Sequence, residues 1–315
     1  MANTSASKKL DKLLLDNPVV KQELSRLEKL VEQQQEQIER YRKAKFTLPA
    51  GGKRRRDGKS FIRVVVPDTH GAHLDKEAAA AFLRDLEDLK PAEIVLIGDH
   101  LDCGGFLAQH QTLSFTPECD YSFEDDVEAA NTLLDEIQKR APEAEYWQIE
   151  GNHEVRIEKW IIKQTLAHSR DAKYLRKMFG PDIVMNLESR GIKYVKTSEH
   201  YHGLAKRGTI RLGKCLFQHG YRHGVNAAKE TLSDLGHNVS CGHTHRIDSC
   251  IKETADSWIG AYLYGCLCKM HPLYYHSRPT NWAHGYGIQI VQPDGLFMSI
   301  AVPIVSGRSL LVRWT

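Results

Sequence analysis

The amino-acid sequence predicts an α/β fold, on the basis of its length, its composition and an alternation of strand-like and helix-like segments. The chain has 315 residues, of which 41% are hydrophobic and 26% charged, and these values are typical of a globular protein with a substantial core. No stretch approaches the roughly 18 consecutive apolar residues of a membrane span. We therefore expect no membrane partner. Because the first residues lack the apolar core of a secretory signal, we also expect a cytoplasmic location.

Residues 1–60 differ from the rest of the chain and are predicted to form an N-terminal arm, which leaves 61–315 as the main domain. Apolar residues recur at seven-residue intervals from Val20 to Tyr41, as in a coiled-coil seam. Asn17 and Pro18 suit the start of this helix. The pattern spans only about three heptads, so two interpretations stay open. One is a coiled coil that pairs two copies of the chain, and the other is a solvated helix.

The arm ends in a basic linker, with five Lys or Arg among residues 53–59. Residues 1–60 carry 15 Lys or Arg against 8 Asp or Glu, whereas residues 61–315 carry 28 against 32. Any attraction to polyanions is therefore expected to begin in the arm. A solvated, mobile linker is an equally good interpretation of this basic run.

The main domain opens with three strands separated by two helices. The predicted elements are a strand at 61–66, a helix at about 75–89, a strand at 93–97, a helix at 123–141 and a strand at 145–149. Further apolar runs at 215–217 and 239–241 are also predicted strands. Strands that alternate with helices form a sheet with crossover connections, and ligands bind outside the carboxyl ends of such strands.

Each of these five strands is followed by glycine together with Asp, Asn or His. The five blocks are Asp68 to Gly71, Gly98 to Asp102, Gly151 to Glu154, Gln218 to Gly220 and Gly242 to His245. Glycine lets the backbone approach a ligand closely, and the neighbouring side chains offer oxygen and imidazole nitrogen donors with no thiol among them. A single block is better explained by a turn or a helix cap. Five in order after predicted strands favour one site that suits Mn, Fe(II), Zn or Ni.

The five blocks resemble the signature motifs of the calcineurin-like metallophosphoesterase superfamily, over about residues 61–305. A looser resemblance, to a subgroup often encoded by bacteriophages and prophages, covers residues 265–268, 279–282, 285–287 and 303–305. The resemblance implies an α/β (α+β) architecture of four layers, a β-sandwich flanked by helices, with a site for two divalent metal ions at one edge. Among the metals, Mn is favoured, with Zn, Fe, Ni or Mg as the other candidates.

Carried over by motif, the resemblance assigns seven metal ligands and two catalytic residues. Asp68, His70 and His245 would bind the first ion, Asn152, His219 and His243 the second, and Asp99 would bridge the two. His153 would face the leaving-group oxygen as the catalytic acid, and Asp102 would orient it. Two ions about 4 Å apart activate water and clamp phosphate oxygens. His100 and His223 lie beside the motifs and are further candidates for contact with substrate.

The sequence favours a phosphodiester substrate over a phosphomonoester. Protein phosphatases that share the third block place an Arg after the second Asp of the Gly-Asp block, where this chain has Cys103, and without that Arg the grip on a dianion is weaker. Arg156, Arg222 or Arg246 could substitute for it. Residues 155–180 carry an excess of basic side chains that could track a nucleic-acid backbone or form an ordinary solvated helix face.

These observations rank three functions. The first is a metal-dependent phosphodiesterase acting on nucleic acid, a nuclease with DNA as the favoured partner. The alternatives are a phosphomonoesterase acting on proteins or nucleotides and a non-enzymatic assembly protein with a structural metal site. The segment from Phe106 to Phe123 could cap the substrate or form a surface loop. The seven cysteines show no Cys-x-x-Cys spacing and are expected to be reduced thiols.

Overall fold

The computed structural model of the protein describes residues 59–107, 122–166, 168–255, 257–270 and 280–311, together with six positions in the arm. Those six positions are helical and exposed: Pro18, Gln22, Ser25, Arg26, Lys29 and Glu32. The predicted coiled-coil seam, most of the basic linker and residues 108–121 lie outside the described residues, so the predictions made for them stay predictions. The chain divides into two units, Met1–Leu48 and Pro49–Thr315. The domain boundary predicted at residue 60 also stays a prediction.

The first sheet has seven strands, of which four are parallel neighbours. Its strands are β1 (Phe61–Val66), β2 (Glu93–Leu96), β3 (Glu145–Ile149), β4 (Lys193–Val195), β10 (Gly285–Val291), β11 (Phe297–Val305) and β12 (Arg308–Ser309). Their order across the sheet is β12-β11-β10-β1-β2-β3-β4. Strands β1 to β4 run parallel, and β10 returns antiparallel beside β1. The parallel part contains the three strands with which the main domain was predicted to open.

The second sheet has five shorter strands. They are β5 (Ile210–Leu212), β6 (Cys215–Phe217), β7 (Val239–Cys241), β8 (Ile247–Glu253) and β9 (Trp258–Tyr264). Their order is β5-β6-β7-β9-β8. The three central strands run parallel, and the two edge strands pair antiparallel. Strands β6 and β7 are the two apolar runs that the sequence predicted as strands.

Six α-helices lie among the described residues. They are α1 (Lys76–Leu89), α2 (Phe123–Arg140), α3 (Glu154–Gln164), α4 (Ser169–Phe179), α5 (Pro181–Val184) and α6 (Ala227–Leu235). Helix α1 begins where the side chain of Asp75 accepts hydrogen bonds from the backbone N–H groups of Glu77 and Ala78. Helix α2 begins with a capping box between Ser122 and Asp125. Both helices therefore start within a residue of the predicted positions, because their caps are local sequence features.

The two sheets pack face to face, and helices cover the outer face of each sheet. Side chains alternate along β1 and β2: Val64 and Val66 join the core under the helices, whereas Val65 and Val95 join the core between the sheets. The core between the sheets also contains Phe217 and other residues of the second sheet. Helix α6 packs on the far side of that sheet. The predicted four-layer α/β sandwich is confirmed.

The parallel strands bring their carboxyl ends to one edge of the sandwich. β1, β2 and β3 are parallel neighbours in the first sheet, and β6 and β7 are parallel neighbours in the second. The five motif blocks follow these five strands, so the topology gathers them at that edge. Within the described part of the chain, the structure contains no helix with the length and apolar character needed to cross a bilayer.

Candidate metal centre

The turns that carry the motif blocks adopt backbone conformations that side chains rarely tolerate. His70, Asp99, His243 and His245 have φ values of 50°, 52°, 69° and 55°, in the left-handed region. For residues other than glycine this conformation costs about 1–2 kcal/mol each. Such strain persists where the surrounding structure enforces it, and it clusters at functional sites. Four of the seven candidate ligands are held in this way.

Glycine at these turns makes room for the ligands. Gly98 has φ 100°, and a Cβ atom there would lie 2.7 Å from Nδ1 of His219 and 2.9 Å from the Cα of Gly151. A Cβ on Gly242 would collide with the Asp68 carboxylate. The close approach predicted from the sequence is therefore required at both positions.

Asp68, His70 and His245 lie together after β1 and β7. Nε2 of His245 is 3.1 Å from Oδ2 of Asp68 and 3.0 Å from Nε2 of His70. Asp68 is fully buried, and both of its oxygens accept the backbone N–H of His243. Burial raises the pKa of Asp68, but the hydrogen bond from His245 and the charge of His219 outweigh it and lower the pKa to about 2. Asp68 is ionised at neutral pH.

Asp99, Asn152, His219 and His243 form a second group that adjoins the first. Nε2 of His219 is 3.2 Å from Oδ2 of Asp99 and 2.9 Å from Oδ1 of Asn152. Nδ1 of His243 is 2.8 Å from the same Asn152 oxygen. The backbone N–H of His153 donates to Oδ1 of Asp99 at 2.8 Å. The structure therefore brings all seven candidate ligands into two adjacent groups.

Three of the histidines are oriented by an atom that contacts Nδ1 behind the ring. Nδ1 of His219 is 3.0 Å from the carbonyl oxygen of Ile97, which can only accept, so Nδ1 carries the proton. Nδ1 of His70 is 2.9 Å from Oδ1 of Asp102. Nδ1 of His245 is 3.9 Å from Sγ of Cys268. Each contact leaves Nε2 directed towards the candidate ligands, as imidazole ligands in metalloproteins are oriented.

The donor set fits divalent metal ions. Nε2 of His245 faces both the Asp68 carboxylate at 3.1 Å and Nε2 of His70 at 3.0 Å, so a proton on that nitrogen, or a cation between these atoms, can satisfy both contacts. Burial lowers the pKa of His70, so a neutral imidazole is favoured there. Ligand atoms of Asp99, His219 and His243 lie within 4.8 Å of one another, as do those of His70, His245 and Cys268. Buried Asp and His clusters of this kind can bind metal ions.

His153 and Asp102 lie beside the two groups of ligands. Nδ1 of His153 is 2.7 Å from the carbonyl oxygen of Asp102 and 3.2 Å from its Oδ1, and Nε2 is 3.9 Å from Oδ2 of Asp99. Burial lowers the pKa of His153, but the charge of Asp99 and the hydrogen bond to Asp102 raise it overall. Asp102 contacts both His70 and His153, so it can orient a ligand and the predicted acid together.

Arg156 is the arginine that the fold brings to the centre. It is 8% exposed, and it donates to the carbonyl oxygen of Asp102 at 3.0 Å and to Nε2 of His153 at 2.9 Å. Arg222 instead pairs with Asp234. Arg246 donates to backbone carbonyl groups of a nearby turn. Of the three arginines proposed from the sequence, only Arg156 contacts His153.

The carboxylates of Glu154 and Asp126 accept hydrogen bonds from the backbone of the ligand-bearing turns. Neither role was predicted from the sequence. The buried Glu154 carboxylate accepts four backbone N–H groups, from Asp99, His100, Leu101 and Gly151, at 2.7–3.1 Å. Burial raises its pKa to about 7. The Asp126 carboxylate in α2 likewise accepts the backbone N–H groups of Ala72, Asp102 and Cys103, at the ends of the first and second blocks. Glu154 stood in a motif block, but its partners are set by the fold.

The two further histidines proposed for contact with substrate lie in different surroundings. His100 is 2% exposed, and its Nδ1 lies 2.9 Å from Oγ1 of Thr69, so its ring is part of the interior. His223 is exposed, with its ring 6.5 Å from that of His243. Trp282, from one of the looser motif segments, packs its ring 4.2 Å from that of His245. The blocks contain no thiol, but the fold adds Cys268, a signal that only a three-dimensional arrangement reveals.

Comparison with known proteins gives distant structural likenesses only. No model of a known family matches the sequence, and no curated protein matches it. Among solved structures, the chain is similar to vacuolar protein sorting 29 from Cryptosporidium parvum, with 12% identity, 80% of this chain and 95% of that chain covered, and a TM-score of 0.41. It is also similar to vacuolar protein sorting 29 from Entamoeba histolytica, with 13% identity, 79% of this chain and 95% of that chain covered, and a TM-score of 0.36. A third similar structure is the phosphoesterase YfcE from E. coli, with 13% identity, 76% of this chain and 98% of that chain covered, and a TM-score of 0.34. Likenesses this distant assign neither a family nor an activity.

Proposed function

We propose that this protein is a calcineurin-like metallophosphoesterase of the phage type, which hydrolyses phosphodiesters in nucleic acid with a pair of divalent metal ions. The observation that carries the proposal is the convergence of seven oxygen and nitrogen donors from five strand ends, with successive contacts of 2.8–3.2 Å. Such an arrangement is expensive to build without a cation, because it buries the carboxylates of Asp68 and Asp99.

One ion would be held by Asp68, His70 and His245. The other ion would be held by Asn152, His219 and His243, and Asp99 would contact both ions. Mn is our first choice because carboxylate and amide oxygens are mixed with imidazole. When bound, the ions would supply Lewis-acid activation of water and neutralisation of charge on the phosphate. The thiol of Cys268 contacts Nδ1 of His245. Zn and Fe therefore remain candidate metals for this set of donors.

His153 is the group that delivers a proton in this proposal. Its Nδ1–H is anchored on Asp102, so Nε2 is the nitrogen that would take up a proton, in place of the hydrogen bond that it accepts from Arg156, and pass it to the leaving-group oxygen. Arg156 lies at 2.9 Å from that nitrogen and places a positive charge where the leaving group becomes negative. Asp102 holds the His153 ring. Although burial raises the pKa of Asp102, the hydrogen bonds from His153 and His70 lower it overall, so its carboxylate stays ionised and accepts hydrogen bonds.

The contacts of Arg156 support a diester rather than a monoester. A phosphomonoester dianion is usually held by an arginine fork that presents two parallel N–H groups. Both terminal nitrogens of Arg156 donate to protein atoms, one to Asp102 and one to His153. Two of the five N–H groups of Arg156 are used in this way and the residue is 8% exposed, so the guanidinium is held towards His153 and is less available to clamp a dianion. A diester carries one negative charge and needs less clamping.

The test is a Mn-supplemented substrate panel on the full chain. It contains bis-aryl phosphate, aryl phosphate, single-stranded and duplex DNA, RNA and cyclic nucleotides. We expect diesters to exceed the monoester in kcat/KM. Asp99→Asn should abolish turnover. His153→Ala should lower it by about 100-fold on DNA. The loss should be smaller on aryl esters, since their leaving groups need less protonation.

Matched controls separate chemistry from folding. Asp294→Asn changes an exposed turn carboxylate and His237→Ala an exposed ring, so both variants should keep full turnover. Monoester turnover well above diester turnover would support the phosphomonoesterase alternative. Metal binding without turnover of any ester would support the non-enzymatic one.

A further inference from the structure

Helices α3 and α4 expose a face that the metal centre does not use, here called the α3–α4 face. Its basic side chains are Lys159, Lys163, Arg170, Lys173 and Lys177, all exposed. Its large apolar side chains are Ile162, Leu166, Tyr174 and Met178, which are 47%, 90%, 64% and 61% exposed. Within each helix these residues recur at three- and four-residue intervals and so share one side of it, and Leu166 lies in the turn that follows α3. Apolar exposure of this extent marks a binding surface.

The core-facing sides of both helices are already packed. Ile157, Ile161 and Ala172 are buried in the core, and Trp160 and Phe179 pack partly buried against it. An ion pair between Glu158 and Arg176 joins the two helices. The exposed apolar residues are therefore not needed to attach α3 and α4 to the domain.

The α3–α4 face carries an excess of positive charge. Within the part of the chain that the structure describes, none of its five basic side chains forms an ion pair. Its one acidic residue, Asp171, lies 3.2 Å from His168. Charge complementarity therefore calls for an anionic partner.

The face leads away from the metal centre. His153 is the residue immediately before α3, and Arg156 in the first turn contacts it. Lys159 and Lys163 follow Arg156 roughly 5 and 10 Å further along the helix axis. A chain of phosphates with one diester at the centre would meet these cations in succession.

We propose that the α3–α4 face binds single-stranded nucleic acid next to the cleavage site. The proposal rests on the proposed function, which supplies the diester chemistry. The lysines and Arg170 contact phosphates, and Tyr174, Leu166 and Met178 pack against the faces of unpaired bases. In a duplex the base faces are stacked inside and cannot reach these side chains. An anionic membrane would meet the same charges and apolar groups, but the row of cations that starts at His153 fits a strand held in the centre.

The experiment measures binding of a labelled oligothymidylate to the full-length protein by fluorescence anisotropy, over a range of salt concentrations. One variant combines Lys163→Ala with Lys173→Ala, and a second combines Leu166→Ala with Tyr174→Ala. The control combines Lys229→Ala with Lys252→Ala, two exposed lysines on α6 and β8 that carry the same change in charge. The same samples are tested against the matching duplex and against phosphatidylserine vesicles, and turnover of oligonucleotide and of bis-aryl phosphate is measured.

We expect the lysine variant to reduce the slope of log K against log salt by about 0.7 for each lost cation. The apolar variant should bind the single strand roughly tenfold more weakly. In both, turnover of the oligonucleotide should fall relative to turnover of bis-aryl phosphate, and the control should match the unaltered protein.

Three results would overturn the inference. Unchanged oligonucleotide affinity in both variants would remove the face as a binding surface. Duplex binding as tight as single-strand binding would contradict the role of base faces. Vesicle binding that is lost in the variants, with oligonucleotide affinity retained, would assign the face to a membrane. Absence of turnover on bis-aryl phosphate by the unaltered protein is a separate failure, that of the proposed function.

Discussion

His219 carries a proton in the metal-free protein that a metal ion has to displace. Burial lowers the pKa of His219, but the charge and the hydrogen bond of Asp99 outweigh it and raise the pKa to about 10. A metal ligand must be a neutral imidazole. We therefore predict that binding of Mn or Zn at pH 8 releases about one proton from this residue. Calorimetric titrations in two buffers of different ionisation enthalpy measure the number.

The pH dependence of proton release is the control for this prediction. Because the folded-state pKa is raised, the contribution of His219 to the stability of the metal-free protein is complete below about pH 6.5 and disappears as the pH rises through about 10. Proton release on metal binding should decline over the same upper range. A release that is zero at pH 8 would mean that His219 is already neutral or is not a ligand.

Cys268 is predicted to help orient His245. Replacing it with alanine removes the thiol that contacts Nδ1 and frees the ring to turn Nε2 away from Asp68. We expect the affinity for Zn, measured by calorimetry, to fall about tenfold in Cys268→Ala. Cys250→Ala, at a half-buried cysteine of β8, is the control. Equal affinities in the two variants would mean that the thiol has no such role.

The sequence indicated the seven donors because each stands in a glycine-containing block after a predicted strand, and those blocks resemble the motifs of a known superfamily. It named Arg156 only as one of three arginines that could contact substrate, and it did not indicate Asp126 or Cys268 as parts of the centre. Asp126 is in the middle of a helical pattern, and its carboxylate reaches the site only because α2 packs beside the turn after β1. Such partners depend on tertiary packing, which spacing does not encode.

At the level of the elements, the turn after β2 depends on glycine at position 98. Gly98→Ala would combine an unfavourable φ of 100° with contacts at 2.7 Å to His219 and 2.9 Å to Gly151. We predict a loss of about 3 kcal/mol in the free energy of unfolding, measured by urea denaturation. Metal affinity should fall as well, because the collision displaces a ligand.

Gly191→Ala separates the two causes. Gly191 has φ 68°, and a Cβ there would have no neighbour within 4 Å, so this variant carries backbone strain alone. It should lose about 1 kcal/mol. If Gly98→Ala lost no more than Gly191→Ala, the close approach to His219 would not be a constraint.

Elements with a strong local pattern were predicted well, as were the short strands β6 and β7, which a motif block follows, but other short strands were not. Strands β1 and β3 and helices α1 and α2 follow the predicted ranges to within a residue or two, since periodicity and caps define them. Strands β4 and β5 have three residues each, too few to show alternation. The amphipathic helix α4 was not separated from α3 in the sequence, because only a short turn divides them.

For the whole molecule, the candidate ligands join the two sheets. Asp68, Asp99 and Asn152 follow strands of the first sheet, and His219 and His243 follow strands of the second. Ions held between them should therefore stabilise the sandwich as a unit. We predict that saturating Mn raises the melting temperature by about 5 °C or more, and that a chelator reverses the change.

Asp99→Asn tests whether this stabilisation comes from the centre. The variant should lose most of the Mn-dependent shift, whereas Asp294→Asn should keep it. A shift of the same size in both variants would assign the stabilisation to ions bound elsewhere on the protein.

The order of the strands also bears on how the protein matures during synthesis. Strand β1, among the first elements of the domain, has β10 as one neighbour, and the last candidate ligand, His245, comes far along the chain. A nascent chain that has not reached β10 lacks a neighbour of β1 in the first sheet, and one that has not reached His245 also lacks a candidate ligand. We therefore expect the complete donor set to form only after β10 has been synthesised and has paired with β1.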